Sequence, residues 1–70
     1  MSNILRKTGY RITELRKSLN LSQKKLAEIA GISKNYLGNV ERGKQAVTIQ
    51  ILKTLTDKLE ISLSDFFKDI

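Results

Sequence analysis

The chain has 70 residues, 40% of them hydrophobic, with 13 Lys/Arg against 7 Asp/Glu and a net charge of +6. It contains neither Cys nor His, which excludes thiol chemistry, Cys/His metal sites and histidine acid–base catalysis. This length and composition predict one small folded domain over residues 1–70, and no apolar run approaches the roughly 18 residues of a membrane span.

The spacing predicts five helices and no sheet. The first runs from about Asn3 to Ser18, with Leu5, Ile12, Leu15 and Leu19 as its apolar stripe. Gly9 lies inside it and is expected to cost about 1 kcal/mol relative to Ala, weakening the first turns. Asn20 is expected to end this helix in a left-handed cap. Ser22 then caps a second helix, Gln23 to Ala30, expected to bury Leu26, Ile29 and Ala30. Gly31 stops it, because a positive φ is cheap only for glycine. Ser33 caps a third helix, from Lys34 to about Arg42, which stops at Gly43. Thr48 caps a fourth that continues to about Lys58, with Ile49, Ile51, Leu52, Leu55 and Leu59 apolar. Ser62 and Asp65 form a Ser-x-x-Asp start for a fifth, which carries Leu63, Phe66 and Phe67. VTIQIL contains a weak strand signal, but its continuation has helical spacing.

The charge is one-sided. Residues 1–44 hold ten Lys/Arg against Glu14, Glu28 and Glu41, a net +7, whereas residues 45–70 sum to −1. Such a field favours a polyanionic partner, although a solvated basic surface would look the same. On the third helix, a turn of about 100° per residue puts Lys34, Asn35, Gly38, Asn39 and Arg42 on one face. Tyr36, Leu37 and Val40 fall on the other. The polar face carries no acid. Asn suits the N6 and N7 of adenine, and Lys or Arg suits guanine or phosphate. Gly38 is expected to let the helix approach a groove closely. Gln23, at the start of the second helix, is placed beside free N–H groups that attract a phosphate. Taken singly, Asn35 and Asn39 also fit ordinary solvent-facing positions, and Tyr36 fits packing; the joint arrangement carries the functional reading. Two helices in this relation can set the second into the major groove of DNA.

The residues Ile12-x-x-Leu15-Arg16, Leu21-Ser22-Gln23-x-x-Leu26-Ala27, Gly31-Ile32-Ser33 and Val40-Glu41-Arg42-Gly43 resemble the helix-turn-helix of the lambda-repressor-like, or Xre-type, regulators of bacteria and phages. The Leu52-x-x-Leu55-x-x-x-Leu59 spacing and Leu63 match as well, so the resemblance covers about residues 5–67. It implies an all-α, compact five-helix domain that binds operator DNA, with the helix-turn-helix at about residues 22–43. It also implies base-reading roles for Lys34, Asn35, Gly38 and Asn39 and phosphate contacts from Gln23, Arg42, Lys44 and Gln45. Arg16 and Glu41 match a structural ion pair. The loop Lys44-Gln45-Ala46-Val47-Thr48 lacks the Pro that many members have after Glu-Arg-Gly. With Tyr36, this is more similar to the controller proteins of restriction–modification systems.

The implied function is a transcriptional regulator, a repressor or a controller, on a two-fold operator in double-stranded DNA. A homodimer is expected, because one such module reads few base pairs. Its contact is placed within residues 44–70, with Ile51, Phe67 and Ile70 as candidates. The alternative is a protein-interaction module of the same fold, such as an antitoxin or phage-type regulator component. Membrane-surface binding is disfavoured by narrow apolar stripes without Trp. The acids are scattered over separate helices and no phosphate-binding Gly-rich loop is present, so no enzyme is expected. No metal, cofactor or small-molecule ligand is implied. MSNILRKTGY lacks a signal-peptide apolar stretch, and a cytoplasmic location is expected.

Overall fold

The computed structural model describes residues 3–68 and residue 70; Met1, Ser2 and Asp69, part of the expected 1–70 domain, lie outside the described residues. The described residues form five helices, α1 (Asn3–Ser18), α2 (Gln23–Ala30), α3 (Lys34–Glu41), α4 (Ile49–Lys58) and α5 (Leu63–Phe66), and no strand. VTIQIL becomes helical from Ile49 onward.

Helices α2 to α5 all start at a hydroxyl cap. The backbone N–H groups of Lys25, Tyr36 and Asp65 donate to the Oγ atoms of Ser22, Ser33 and Ser62 at 3.0 Å, and that of Ile51 donates to Thr48 Oγ1 at 3.1 Å. Each hydroxyl accepts from one of the N–H groups that a helix start leaves without a carbonyl partner. Gly31 ends α2 at φ 73°, and Ile32 N–H closes back onto Ala27 O at 3.0 Å. That left-handed residue reverses the chain between α2 and α3 within a short connection. Asn20 takes the expected left-handed conformation at φ 59°. Glu60 does the same after α4 at φ 61°, where the sequence offers no Gly or Asn to announce it.

Helix α3 packs on α1 and α2, while α4 packs on α2 and α5. All five helices feed one core: Ile12 from α1, Leu26 and Ala27 from α2, Leu37 and Val40 from α3, Leu52 and Leu55 from α4, Phe66 from α5, with Leu59 beside them. Fully burying one large apolar side chain contributes about 1.5–3 kcal/mol, so this shared cluster is the main source of cohesion. Thr56 is also fully buried, and its hydroxyl donates to Lys53 O at 3.0 Å.

Three expectations change. Helix α2 buries Leu26 and Ala27, whereas Ile29 is 38% exposed and Ala30 is half-buried. A two-turn helix wedged between α3 and α4 is oriented by its neighbours, and the small Ala27 lies on the side where they approach. Leu19 is exposed because it lies past the end of α1, leaving Ile12 as the buried member of that stripe. Gly9, expected to weaken α1, is buried at the crossing of α1 over the end of α3. A Cβ there would overlap the Val40 carbonyl oxygen and stand 2.6 Å from that of Glu41. Its local helical cost is therefore offset by a close backbone approach that no other residue permits.

Candidate nucleic-acid interface

The outer face of α3 and the start of α2 enclose a polar concavity of about 320 Å³, lined by Gln23, Lys34, Asn35, Gly38 and Arg42. Lys34, Asn35 and Arg42 are exposed, and Asn39 is half-buried. Ser33 fixes where α3 begins, and Leu37 and Val40 hold its opposite side in the core. The outward direction of Lys34, Asn35 and Asn39 thus follows from the helical period once the apolar pair is buried.

Behind this face lies a three-residue ionic cluster. Arg16 Nε donates to Glu41 Oε2 at 2.8 Å and Nη2 donates to Oε1 at 3.1 Å. Its Nη1 donates to Leu21 O at 2.7 Å, and Gln23 Nε2 donates to Glu41 Oε1 at 2.9 Å. The side chains of Arg16 and Glu41 are only 10% and 4% exposed. Burial pushes the Glu41 carboxyl up, but the hydrogen bonds from Arg16 and Gln23 and the Arg16 charge outweigh it. They hold the group below its ordinary value of 4.5. The cluster ties Arg16 of α1 and the first residue of α2 to the carboxylate of the last residue of α3, and the Arg16 guanidinium also holds the α1–α2 connection through the Leu21 carbonyl. The relation of α2 to α3 is fixed by directional bonds as well as by packing.

Gly38, expected on the groove side, and Gln45, expected at a phosphate, sit apart from the exposed residues of this face. Gly38 is buried: a Cβ there would meet Arg42 Nη1 at 3.3 Å and Gln23 Oε1 at 3.6 Å, so these side chains roof its backbone instead of leaving it open to a groove. Gln45 lines an apolar groove instead of the polar concavity, because the chain turns away after Gly43 at φ 74°. Gln23 keeps its place at the start of α2, but its side-chain amide already donates to Glu41. Sequence reasoning missed this third member of the cluster, since no periodicity links residues 18 positions apart. Arg42 folds back along α3, with Nη2 donating to Asn39 Oδ1 at 2.6 Å. Residues three apart on a helix are neighbours, which brings the two side chains within reach. Lys44 is exposed just beyond α3. Tyr36 is half-buried against the core, and its hydroxyl donates to Ala46 O at 3.3 Å, tethering the α3–α4 connection back to α3.

A second, apolar surface is formed by the start of α1, the α3–α4 connection, α4 and the end of α5. Ile4, Leu5, Val47, Ile49, Leu52 and Phe67 line an apolar groove of about 210 Å³. Ile4, Ile49 and Phe67 are 51%, 65% and 38% exposed. Of the expected dimer residues, Phe67 lies here, whereas Ile51 and Ile70 pack partly against the core. Ile70 lines a different cleft, with Lys7, Tyr10, Arg11 and Glu14. Among the described residues, no helix is long and apolar enough to cross a membrane, and no three potential Asp/Glu metal ligands cluster.

Comparison with known proteins agrees with this geometry. The model of a family described as helix-turn-helix matches residues 12–66. The chain is 33% identical over 61 residues to the HTH-type transcriptional regulator PuuR of Escherichia coli (strain K12), covering 87% of this chain and 33% of that protein. The chain thus spans about a third of the length of that relative. Its fold is similar to the restriction–modification controller protein C.AhdI from Aeromonas hydrophila, with a TM-score of 0.88, 37% identity, and 93% and 98% of the two chains covered. It is also similar to the controller protein C.Esp1396I, solved as a tetramer with its natural 35 base-pair operator. There the TM-score is 0.82 and the identity 28%, over 91% of this chain and 84% of that one.

Proposed function

This chain belongs to the helix-turn-helix family, and from that membership we propose that it is a sequence-specific DNA-binding transcriptional regulator. It acts as a repressor or a restriction–modification controller on a two-fold operator, as a homodimer. The observation that carries this reading is the acid-free outer face of α3, with Lys34, Asn35, Asn39 and Arg42 held outward by the buried Arg16–Glu41–Gln23 cluster. Lys34, Asn35 and Asn39 meet base edges, while Arg42, Lys44 and the N-terminus of α2 meet phosphates. Gly38 serves as the seat on which Arg42 rests.

The apolar groove supplies the contact between two copies, with Ile4, Ile49 and Phe67 at its centre. Two recognition helices spaced one DNA turn apart, about 34 Å, each lie about 17 Å from the two-fold axis. That is within reach of a domain measuring 30 × 23 × 21 Å. The solved operator complex of C.Esp1396I, with its tetramer on DNA, supports the same mode of action here. Residues 1–70 function as one DNA-binding unit in the cytoplasm, without enzymatic activity or a cofactor. Selection of bound duplexes from a random pool tests the proposal. A two-fold symmetric motif is expected; recovery of no motif would favour a protein-interaction role instead.

A further inference from the structure

The hydrogen bond between Arg42 and Asn39 bears on which base is read. A free Asn presents its carbonyl and amine side by side, which matches the N6 donor and N7 acceptor of adenine. Here the Oδ1 of Asn39 is turned toward Arg42 Nη2, 2.6 Å away. A guanidinium has donors only, so the amide must face it with its oxygen and present its two N–H groups elsewhere. A charged donor on the carbonyl also makes those N–H groups stronger donors and the oxygen a poorer acceptor for a second partner. The bare backbone of Gly38 leaves room for the arrangement, because a Cβ there would come within 3.3 Å of Arg42 Nη1 and press on the guanidinium.

We propose that Arg42 is a positioning residue that sets the base edge Asn39 reads, turning it from an adenine reader into a donor that favours the N7 and O6 acceptors of guanine. Only one of the five N–H groups of Arg42 is used on Asn39, so the rest of its fork remains free for a phosphate. The inference rests on the DNA reading proposed above and adds to it a specificity at one base position.

The test selects duplexes from a random pool with the unaltered chain, with Arg42→Met, with Gly38→Ala and with Asn39→Ala, and records each melting temperature. The unaltered chain is expected to select guanine at a position that Asn39→Ala relaxes. Arg42→Met should shift that same position toward adenine, a change in preference of roughly 3- to 10-fold, with the bases elsewhere unchanged. Gly38→Ala keeps the charge but crowds the guanidinium, and should shift the position in the same direction. Arg42 is exposed and Ala favours helix, so both variants should fold. The proposal is overturned if Arg42→Met weakens binding evenly and leaves the base profile intact. Adenine at the Asn39-dependent position of the unaltered chain, or no position relaxed by Asn39→Ala, overturns it equally. Those results leave DNA reading standing; a pool that yields no motif with the unaltered chain removes both.

Discussion

The α2–α3 half and the α4–α5 half of this molecule use the same local devices to different ends. Both begin their helices with Ser or Thr caps and both feed the common core. The α2–α3 half adds a buried carboxylate that receives three hydrogen bonds from Arg16 and Gln23, and it leaves a polar face outside. The α4–α5 half has an exposed ion pair, Lys53 to Asp57, with both side chains 57% exposed, and it leaves Ile49 and Phe67 outside. Reading a groove requires orientation, which directional bonds shielded from water supply. Pairing with a second copy requires apolar area, which is non-directional and needs no such lock.

Breaking the lock should have the largest effect. Glu41→Ala strands the Arg16 guanidinium and frees the Gln23 amide, and should cost about 3 kcal/mol. Thermal unfolding would show a drop of ten degrees or more for a domain of this size, roughly, with DNA affinity falling alongside it. Lys53→Ala removes the other ion pair, and its melting temperature should move by only a few degrees at most, because an exposed pair one helical turn apart contributes about 0.3–0.5 kcal/mol. Equal effects from the two substitutions would erase the distinction between the halves.

Acid should find the same lock. The Glu41 carboxyl lies below its ordinary value in the folded chain, so its contribution is fully present above about pH 4.5 and fades as the pH falls through the folded value. The melting-temperature gap between the unaltered chain and Glu41→Gln should therefore close as pH falls below that point. A gap that stays constant down to strongly acidic pH would mean that ionisation of Glu41 is not what holds the cluster.

On the other half, Ile49→Glu places a charge on the apolar groove. It should convert a dimer into a monomer in sedimentation at tens of micromolar while changing the melting temperature of the monomer little, since Ile49 is 65% exposed. A dimer that persists would move the contact elsewhere. A small gain is expected from Glu60→Gly, which relieves a left-handed residue after α4 and should stabilise by about 0.5–1 kcal/mol.

The parts of this picture that were legible in the sequence are the local ones. Ser22, Ser33, Thr48 and Ser62 announce helix starts because a cap bonds within three residues, and the period of α3 sorts its faces without knowledge of the rest of the fold. The Arg16–Glu41 pairing spans 25 residues and came from family resemblance, not spacing. Gln23 was placed at the right end of α2 but given only a phosphate role, since its bond to Glu41 depends on how α2 crosses α3. Gly9 shows the same limit: helix propensity reports its local cost, while the carbonyls of Val40 and Glu41 that require it belong to another helix. Ile29, expected in the core, is turned partly outward because a short helix is rolled by its neighbours. Glu60 adopts a glycine-like conformation that nothing adjacent to it predicts.

The central claim is that the face of α3 reads bases while the buried cluster behind it only holds that face in place. The most direct test is binding of the Asn35→Ala/Asn39→Ala double variant to a selected duplex and to a scrambled duplex, across a range of salt. The variant is expected to lose its preference for the selected duplex while retaining the unaltered chain's melting temperature, its affinity for the scrambled duplex and its salt dependence, because Arg42, Lys44 and the N-terminus of α2 still meet phosphates. Undiminished preference for the selected duplex would contradict the account.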